Sequence, residues 1–320
     1  MDKVVYVFPG QGSQHLGMAR DIYKSRKFKH IRKIIDDASE IIGEDVIKLC
    51  TRRPPFLKGR REKMEAELSK SEKVQPAIFA TSFALFKALE TKSKNDWYAA
   101  LGHSLGEYTA LAATESLSFP EGVELVKKRA EYMRECSEGS GMAAIVRRDL
   151  NRSEVEEICS KTDCHIAIFN NCQQVVIGGP DKNLSDACEI AKEKGYMTFR
   201  IKMEGCPHTP IMKPAAEKLS EYIKRVNIRM AKRPIIANTS AKGIVDPDDI
   251  RSELVEHMYK PLLFSDCVEK CIYNGADIFV EIGPGKVASG LIKKIYPSAR
   301  TFNVEDSKSA KSVANELYHI

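Results

Sequence analysis

The pentapeptide Gly102-His103-Ser104-Leu105-Gly106 constrains this chain more than any other feature. It matches G-x-S-x-G in the setting that pattern requires: residues 97–101 read as a buried strand and residues 107–113 as a helix. The flanking glycines let the serine occupy a sharp turn, with its hydroxyl raised above a sheet and close to a helix N-terminus. Backbone N–H groups there can stabilise an oxyanion. The same strand, turn and helix order appears twice more. Val4-Val5-Tyr6-Val7-Phe8 is an unbroken apolar run, suited to a strand buried on both faces of a parallel sheet, and Pro9-Gly10-Gln11-Gly12-Ser13 then turns towards a helix from about Met18. Ile278-Phe279-Val280 precedes Gly283-Pro284-Gly285 in the same way. Phe79, Phe83 and Phe86, after Gln75-Pro76, share one helical face. Such alternation predicts an α/β domain with a mostly parallel sheet.

Between Gly139 and Met203 the pattern changes. Short apolar runs at 142–146, 165–169, 175–177 and 197–201 are separated by polar helical stretches at 153–160 and 183–193. This β-α-β-β-α-β order predicts a small ferredoxin-like unit, residues 139–204, inserted into a larger body made of residues 1–138 and 205–320. The helical period returns at Ile211, Ala215, Leu219 and Ile223. Residues 52–63 hold six basic residues and Pro54-Pro55, and read as a solvated loop.

Several function classes are excluded. A chain of 320 residues buries enough surface to need no disulfide or metal staple. Its nine cysteines are scattered and contain no CxxC pair, so neither a disulfide framework nor a metal site is expected. No apolar run approaches the ~18 residues of a membrane span. The start, Met1-Asp2-Lys3 followed by a brief apolar run, is not that of a signal peptide. A cytoplasmic protein is expected. Fifty basic residues against forty-four acidic ones give a charge of +6, which favours an acidic partner. Gly10-x-Gly12 has His15 at the sixth position, so a dinucleotide fingerprint is not met. No nucleic-acid-binding motif is present.

A nucleophilic serine needs a base. The downstream histidines are His165, His208, His257 and His319. His165 falls in the inserted unit and His319 is the penultimate residue. His208 sits in Cys206-Pro207-His208-Thr209-Pro210, a loop held between prolines. Spacing alone does not decide between the candidates.

The motifs together resemble the malonyl-CoA:acyl carrier protein transacylases. The resemblance rests on Phe8-Pro9-Gly10-Gln11-Gly12-Ser13-Gln14, Gln75-Pro76-Ala77, Gly102-His103-Ser104-Leu105-Gly106-Glu107-Tyr108, Arg129 with Met133, His208 with Met212-Lys213-Pro214, and Glu281-Ile282-Gly283-Pro284-Gly285-Lys286-Val287. These follow the family's order from residue 4 to about residue 295. The resemblance implies a hydrolase-like parallel-sheet domain carrying the ferredoxin-like insertion, and a ping-pong transfer without a cofactor or a metal. Ser104 would be acylated by malonyl-CoA while His208 takes its proton. Gln11 and Leu105 would offer their backbone N–H groups as the oxyanion hole. The phosphopantetheine thiol of an acidic acyl carrier protein would then collect the malonyl group. His208 would be oriented by a backbone carbonyl, here that of His257, where many relatives carry Gln or Asn. Arg129 would bind the malonyl carboxylate, which its two-pronged guanidinium suits. Spacing does not separate it from Lys127, Lys128 and Arg134.

The chain also departs from the family. Gly205-Cys206-Pro207 matches neither acyl-selectivity pattern of modular polyketide acyltransferases, and residues 52–63 look like an extra stretch. Fatty-acid and polyketide synthesis both remain open. The alternative activity is an editing acyl hydrolase of acyl carrier proteins, which retains Ser and His but lacks the arginine. A docking subunit with a dead site is a third class, and intact Ser104 and His208 speak against it. A monomer is expected. Lys286, Lys293 and Lys294, with Arg200 and Lys202 on the inserted unit, are the residues expected to meet the carrier protein.

Overall fold

The N-terminal apolar run becomes the centre of the larger sheet. In the computed structural model, which describes residues 3–92 and 96–318, ten strands are present among the described residues. They are β1 (Lys3–Phe8), β2 (Ala99–Gly102), β3 (Ser140–Val146), β4 (His165–Asn171), β5 (Gln174–Pro180), β6 (Met197–Arg200), β7 (Ile235–Ile236), β8 (Gly243–Ile244), β9 (Ala276–Ile282) and β10 (Arg300–Val304). The larger sheet has the order β10-β9-β1-β2-β7-β8, parallel except for β8. Val4, Tyr6 and Phe8 of β1 face one core, and Val5 and Val7 face the other. Burial on both faces is what an unbroken apolar strand requires.

The second sheet has the order β4-β5-β3-β6 and is antiparallel throughout. With the helices Arg152–Thr162 and Asp181–Glu193 it forms the β-α-β-β-α-β unit. Ala143, Ile145, Val175 and Ile177 pack on the helical side against Val155, Ile158, Leu184 and Ala187. Met142, Ala144 and Val176 join the main core on the other side. The sheets are stitched together at Leu262, whose N–H donates to Ala167 O at 2.9 Å and whose carbonyl accepts from Phe169 N at 2.8 Å. Arg152 also donates across the seam to Ser265 Oγ at 2.9 Å.

Some boundaries differ from the sequence reading. The strand expected at 97–101 is Ala99–Gly102, and the first helix is the short Arg20–Lys24. Residues 52–63 are not a continuous loop, because a helix spans Lys58–Leu68. Beyond Pro55 the segment is rich in Lys, Arg, Glu, Met and Ala, which favour helix. Arg61 also pairs with Glu65 one turn on, at 2.8 Å. Among the described residues no helix is long and apolar enough to cross a membrane.

Candidate active site

Ser104 stands on the turn between β2 and the helix Gly106–Ala113, in a left-handed conformation with φ of 52°. Two glycines make the turn possible by contact. A Cβ on Gly102 would lie 1.9 Å from Glu107 N, and one on Gly106 would lie 1.9 Å from Phe8 O. Asn238 locks the turn from beneath: its Nδ2 donates to Gly102 O at 2.9 Å and its Oδ1 accepts from Ser104 N at 3.1 Å. His103 is held by its backbone N–H, which donates to Phe8 O at 2.9 Å, and by a 2.9 Å hydrogen bond between Nε2 and Asn170 Oδ1 on β4. The serine turn is thereby fastened to both sheets.

His208 meets the serine from the loop that follows β6. Its Nε2 lies 2.8 Å from Ser104 Oγ, and its Nδ1 donates to the His257 carbonyl at 2.6 Å. A carbonyl only accepts, so the proton resides on Nδ1 and Nε2 is left bare to accept from the serine hydroxyl. His208 N–H donates to Met258 O at 2.9 Å, which fixes the loop to the same support. His257 directly follows the helix Pro247–Glu256, so its carbonyl belongs to the unpaired, partly negative end of that helix. Burial, followed by the positive charge of Arg129, lowers the His208 pKa from 6.5 to about 3. The imidazole is therefore neutral in the resting site.

Arg129 comes from the helix Phe119–Glu135 and is 1% exposed. One guanidinium nitrogen donates to Gln75 Oε1 and another to Ser104 Oγ at 3.2 Å. Its Nε has no hydrogen-bond partner. Among the described residues no carboxylate lies within ion-pair distance of it. Burial pushes its pKa down, but guanidinium starts so high that it remains a cation. A buried guanidinium without an ion-paired carboxylate, 3.2 Å from the Ser104 hydroxyl, has the chemistry to hold an anionic group there. Gln11, Met133, Met142, Ile168, Met203 and Pro207 line the cleft around these groups.

The turn after β1 brings Gln11 to the cleft. Neither the Gln11 nor the Leu105 backbone N–H has an acceptor among the described residues, which leaves both able to donate to an oxygen in the cleft. The C-terminal motif supports this turn. Glu281 accepts hydrogen bonds from Ala288 N at 3.0 Å, Ser289 N at 2.7 Å and Asn303 Nδ2 at 3.1 Å, capping the helix Val287–Ile295. Gly283, at φ 151°, lies where a Cβ would strike the Pro9 ring at 2.4 Å.

The structure thus brings together Ser104, His208, Arg129 and Gln11, with Leu105 next to the serine and the His257 carbonyl behind the His208 imidazole. His165 lies elsewhere, beside a groove with Cys159, Lys213 and Tyr259. His319 lies outside the described residues. Sequence reasoning assigned no role to Gln75, Asn238, Asn170 or Glu107. Gln75 and Glu107 carried a signal, as polar residues within otherwise apolar helical stretches. The asparagines carried none. Of the basic residues expected to meet a carrier protein, Lys286 pairs with Glu305 at 3.1 Å and Arg200 with Asp181 at 3.3 Å. Lys202, Lys293 and Lys294 are exposed without an acidic partner among the described residues. No group of three or more His, Cys, Asp or Glu among the described residues is placed to hold a metal.

The family model for the acyl transferase domain matches residues 5–315. The chain is 36% identical to the malonyl CoA-acyl carrier protein transacylase of Bacillus subtilis, over 99% of this chain and 98% of that protein. The crystal structure of a malonyl CoA-acyl carrier protein transacylase from Clostridium perfringens superposes with a TM-score of 0.88 at 33% identity, covering 99% of this chain and 98% of that one. A type II polyketide synthase malonyl-transacylase, solved in complex with its acyl carrier protein, gives 0.90 at 28% identity over 98% and 100% of the two chains.

Proposed function

The chain belongs to the acyl transferase family and, within it, to the malonyl-CoA:acyl carrier protein transacylases of fatty-acid or polyketide synthesis; on that premise we propose how its residues divide the reaction. Ser104 Oγ attacks the thioester carbonyl of malonyl-CoA as its proton passes to His208 Nε2. The N–H groups of Gln11 and Leu105 hold the oxyanion. Collapse breaks the carbon–sulfur bond, and coenzyme A leaves as a thiol with the proton from His208. The phosphopantetheine thiol of an acyl carrier protein then gives its proton to His208 and attacks the malonyl-Ser104 ester. Breakdown of the second oxyanion returns that proton to Ser104 Oγ. Throughout, Arg129 pairs with the malonyl carboxylate. The enzyme works as a cytoplasmic monomer with no cofactor of its own.

The observation that carries this reading is the buried Arg129 guanidinium, 3.2 Å from Ser104 Oγ and ion-paired with no carboxylate among the described residues. A hydrolase that clears varied acyl groups has no use for such a cation. The test is loading of Ser104 by malonyl-CoA and acetyl-CoA, followed by intact mass. Ser104→Ala is expected to form no adduct. Arg129→Ala is expected to lose roughly 10²–10³-fold in malonyl loading, the cost of breaking a buried charge pair. Acetyl loading should hold or rise. Equal losses for both acyl groups would make the arginine structural and refute the malonyl assignment.

A further inference from the structure

His257 offers the site a side chain as well as a carbonyl. Its ring is fully buried and meets the His208 ring edge-on, with centroids 4.9 Å apart and planes at 77°. Its Nε2 lies 3.2 Å from Oε2 of Glu107, which is 1% exposed. Glu107 sits in the first turn of the helix that follows Ser104. The turn that presents the nucleophile therefore also delivers a carboxyl group to the residue behind the base.

The contact is not aligned as a hydrogen bond, and neither ring nitrogen of His257 nor either Glu107 oxygen has another side-chain or aligned partner among the described residues. The Asn238 backbone N–H and the Arg129 charge favour the ionised carboxyl group, but burial outweighs them. Buried polar atoms are rarely left unpaired, and here the two groups face each other within reach of a small adjustment. Burial disfavours the charged form of each, raising the Glu107 pKa and lowering that of His257. Neutral partners make one hydrogen bond, with Glu107 Oε2–H donating to His257 Nε2.

We propose that this Glu107–His257 hydrogen bond positions His208, by fixing the ring, and with it the carbonyl, on which the base hangs. A buried acid then orients the catalytic imidazole one residue removed, through a peptide carbonyl. The inference rests on reading Ser104 as nucleophile and His208 as base.

The test measures the rate constant for Ser104 acylation at saturating malonyl-CoA, the half-saturating concentration, and the downfield NMR resonance of the His208 Nδ1 proton. Glu107→Leu and His257→Leu keep the backbone carbonyl but remove the hydrogen bond. Each is expected to slow acylation roughly tenfold, the worth of one buried hydrogen bond, with half-saturation unchanged. Both should shift the Nδ1 proton. The double variant should fall no further than the worse single one, as members of one unit do. Glu107→Gln keeps a group that can bond His257, and should restore both the rate and the resonance.

Leu variants that acylate at the wild-type rate with an unmoved resonance would overturn the proposal. So would a double variant whose loss is the product of the two single losses, or a Gln variant as slow as the Leu one. If Glu107→Leu does not fold, His257→Leu and Glu107→Gln still decide the matter. Ser104→Ala and His208→Ala run alongside. Acylation persisting in those would refute the nucleophile and base themselves, whereas their loss beside normal Leu variants refutes only the pair.

Discussion

His208 is suited to the base role proposed for it because its surroundings refuse it a second proton. Burial first, and the Arg129 charge second, take its pKa from 6.5 to about 3. The acid limb of Ser104 acylation should therefore lie well below pH 6.5 in a pH–rate profile of the free enzyme. A limb centred at 6.5 would show an imidazole open to water. Stability should follow the same ionisation. The unfolded chain binds a proton at His208 near pH 6.5 and the folded one does not until about pH 3, so stability is lost as pH falls through that window. Urea midpoints taken from about pH 7 down to about pH 4 should fall less in His208→Gln than in wild type. The sequence could nominate His208 only through the family pattern, because proton affinity is set by residues remote in the chain. Arg129 approaches it from a helix some 80 positions earlier, and the supporting carbonyl from 49 positions later. Asn238 has the same invisibility: nothing around it in sequence marks it as the clamp of the serine turn.

Elements whose periodicity was strong were legible, and those without one were not. The unbroken run of β1, the phenylalanine face of the helix Ser71–Glu90 and the four runs of the inserted unit all appear where their patterns place them. β7 and β8 have two residues each, too few for any period. Residues 52–63 misled because Pro54-Pro55 and dense charge suggest a loop, while the helix formers after them act from Lys58 onward. The Glu281 motif was recognisable as a motif, but its task became clear only from contacts. One carboxylate caps a helix and braces β10 through Asn303. Glu281→Ala would leave two helix N–H groups unpaired in a buried place, while the Asn303 amide keeps its 2.8 Å bond to Ser289 Oγ. A loss of about 3 kcal/mol in urea unfolding is expected. A loss below about 0.5 kcal/mol would mean that water replaces the carboxylate at no cost.

The chain carries an excess of six positive charges, and its use depends on where local pairing leaves it free. Lys286 and Arg200 are tied to acidic neighbours, so Lys202, Lys293 and Lys294 are the ones expected to attract an acidic carrier protein. Exposed charges act over about 8–10 Å at physiological salt and govern encounter more than final affinity. Transfer from malonyl-Ser104 to the carrier should fall with added salt more steeply than loading from malonyl-CoA, and neutralising those three lysines should flatten the difference. Equal salt slopes for the two half-reactions in the wild type would remove this surface from the encounter. The two sheets also do not separate cleanly into a catalytic part and an accessory part. His208 enters from the chain just after β6, and Asn170 of the smaller sheet holds His103, the residue before Ser104. The smaller sheet is consequently expected to be a poor cassette: exchanging it between relatives to alter acyl choice should shift Ser104 and His208 together, so that selectivity and rate change as a single trait.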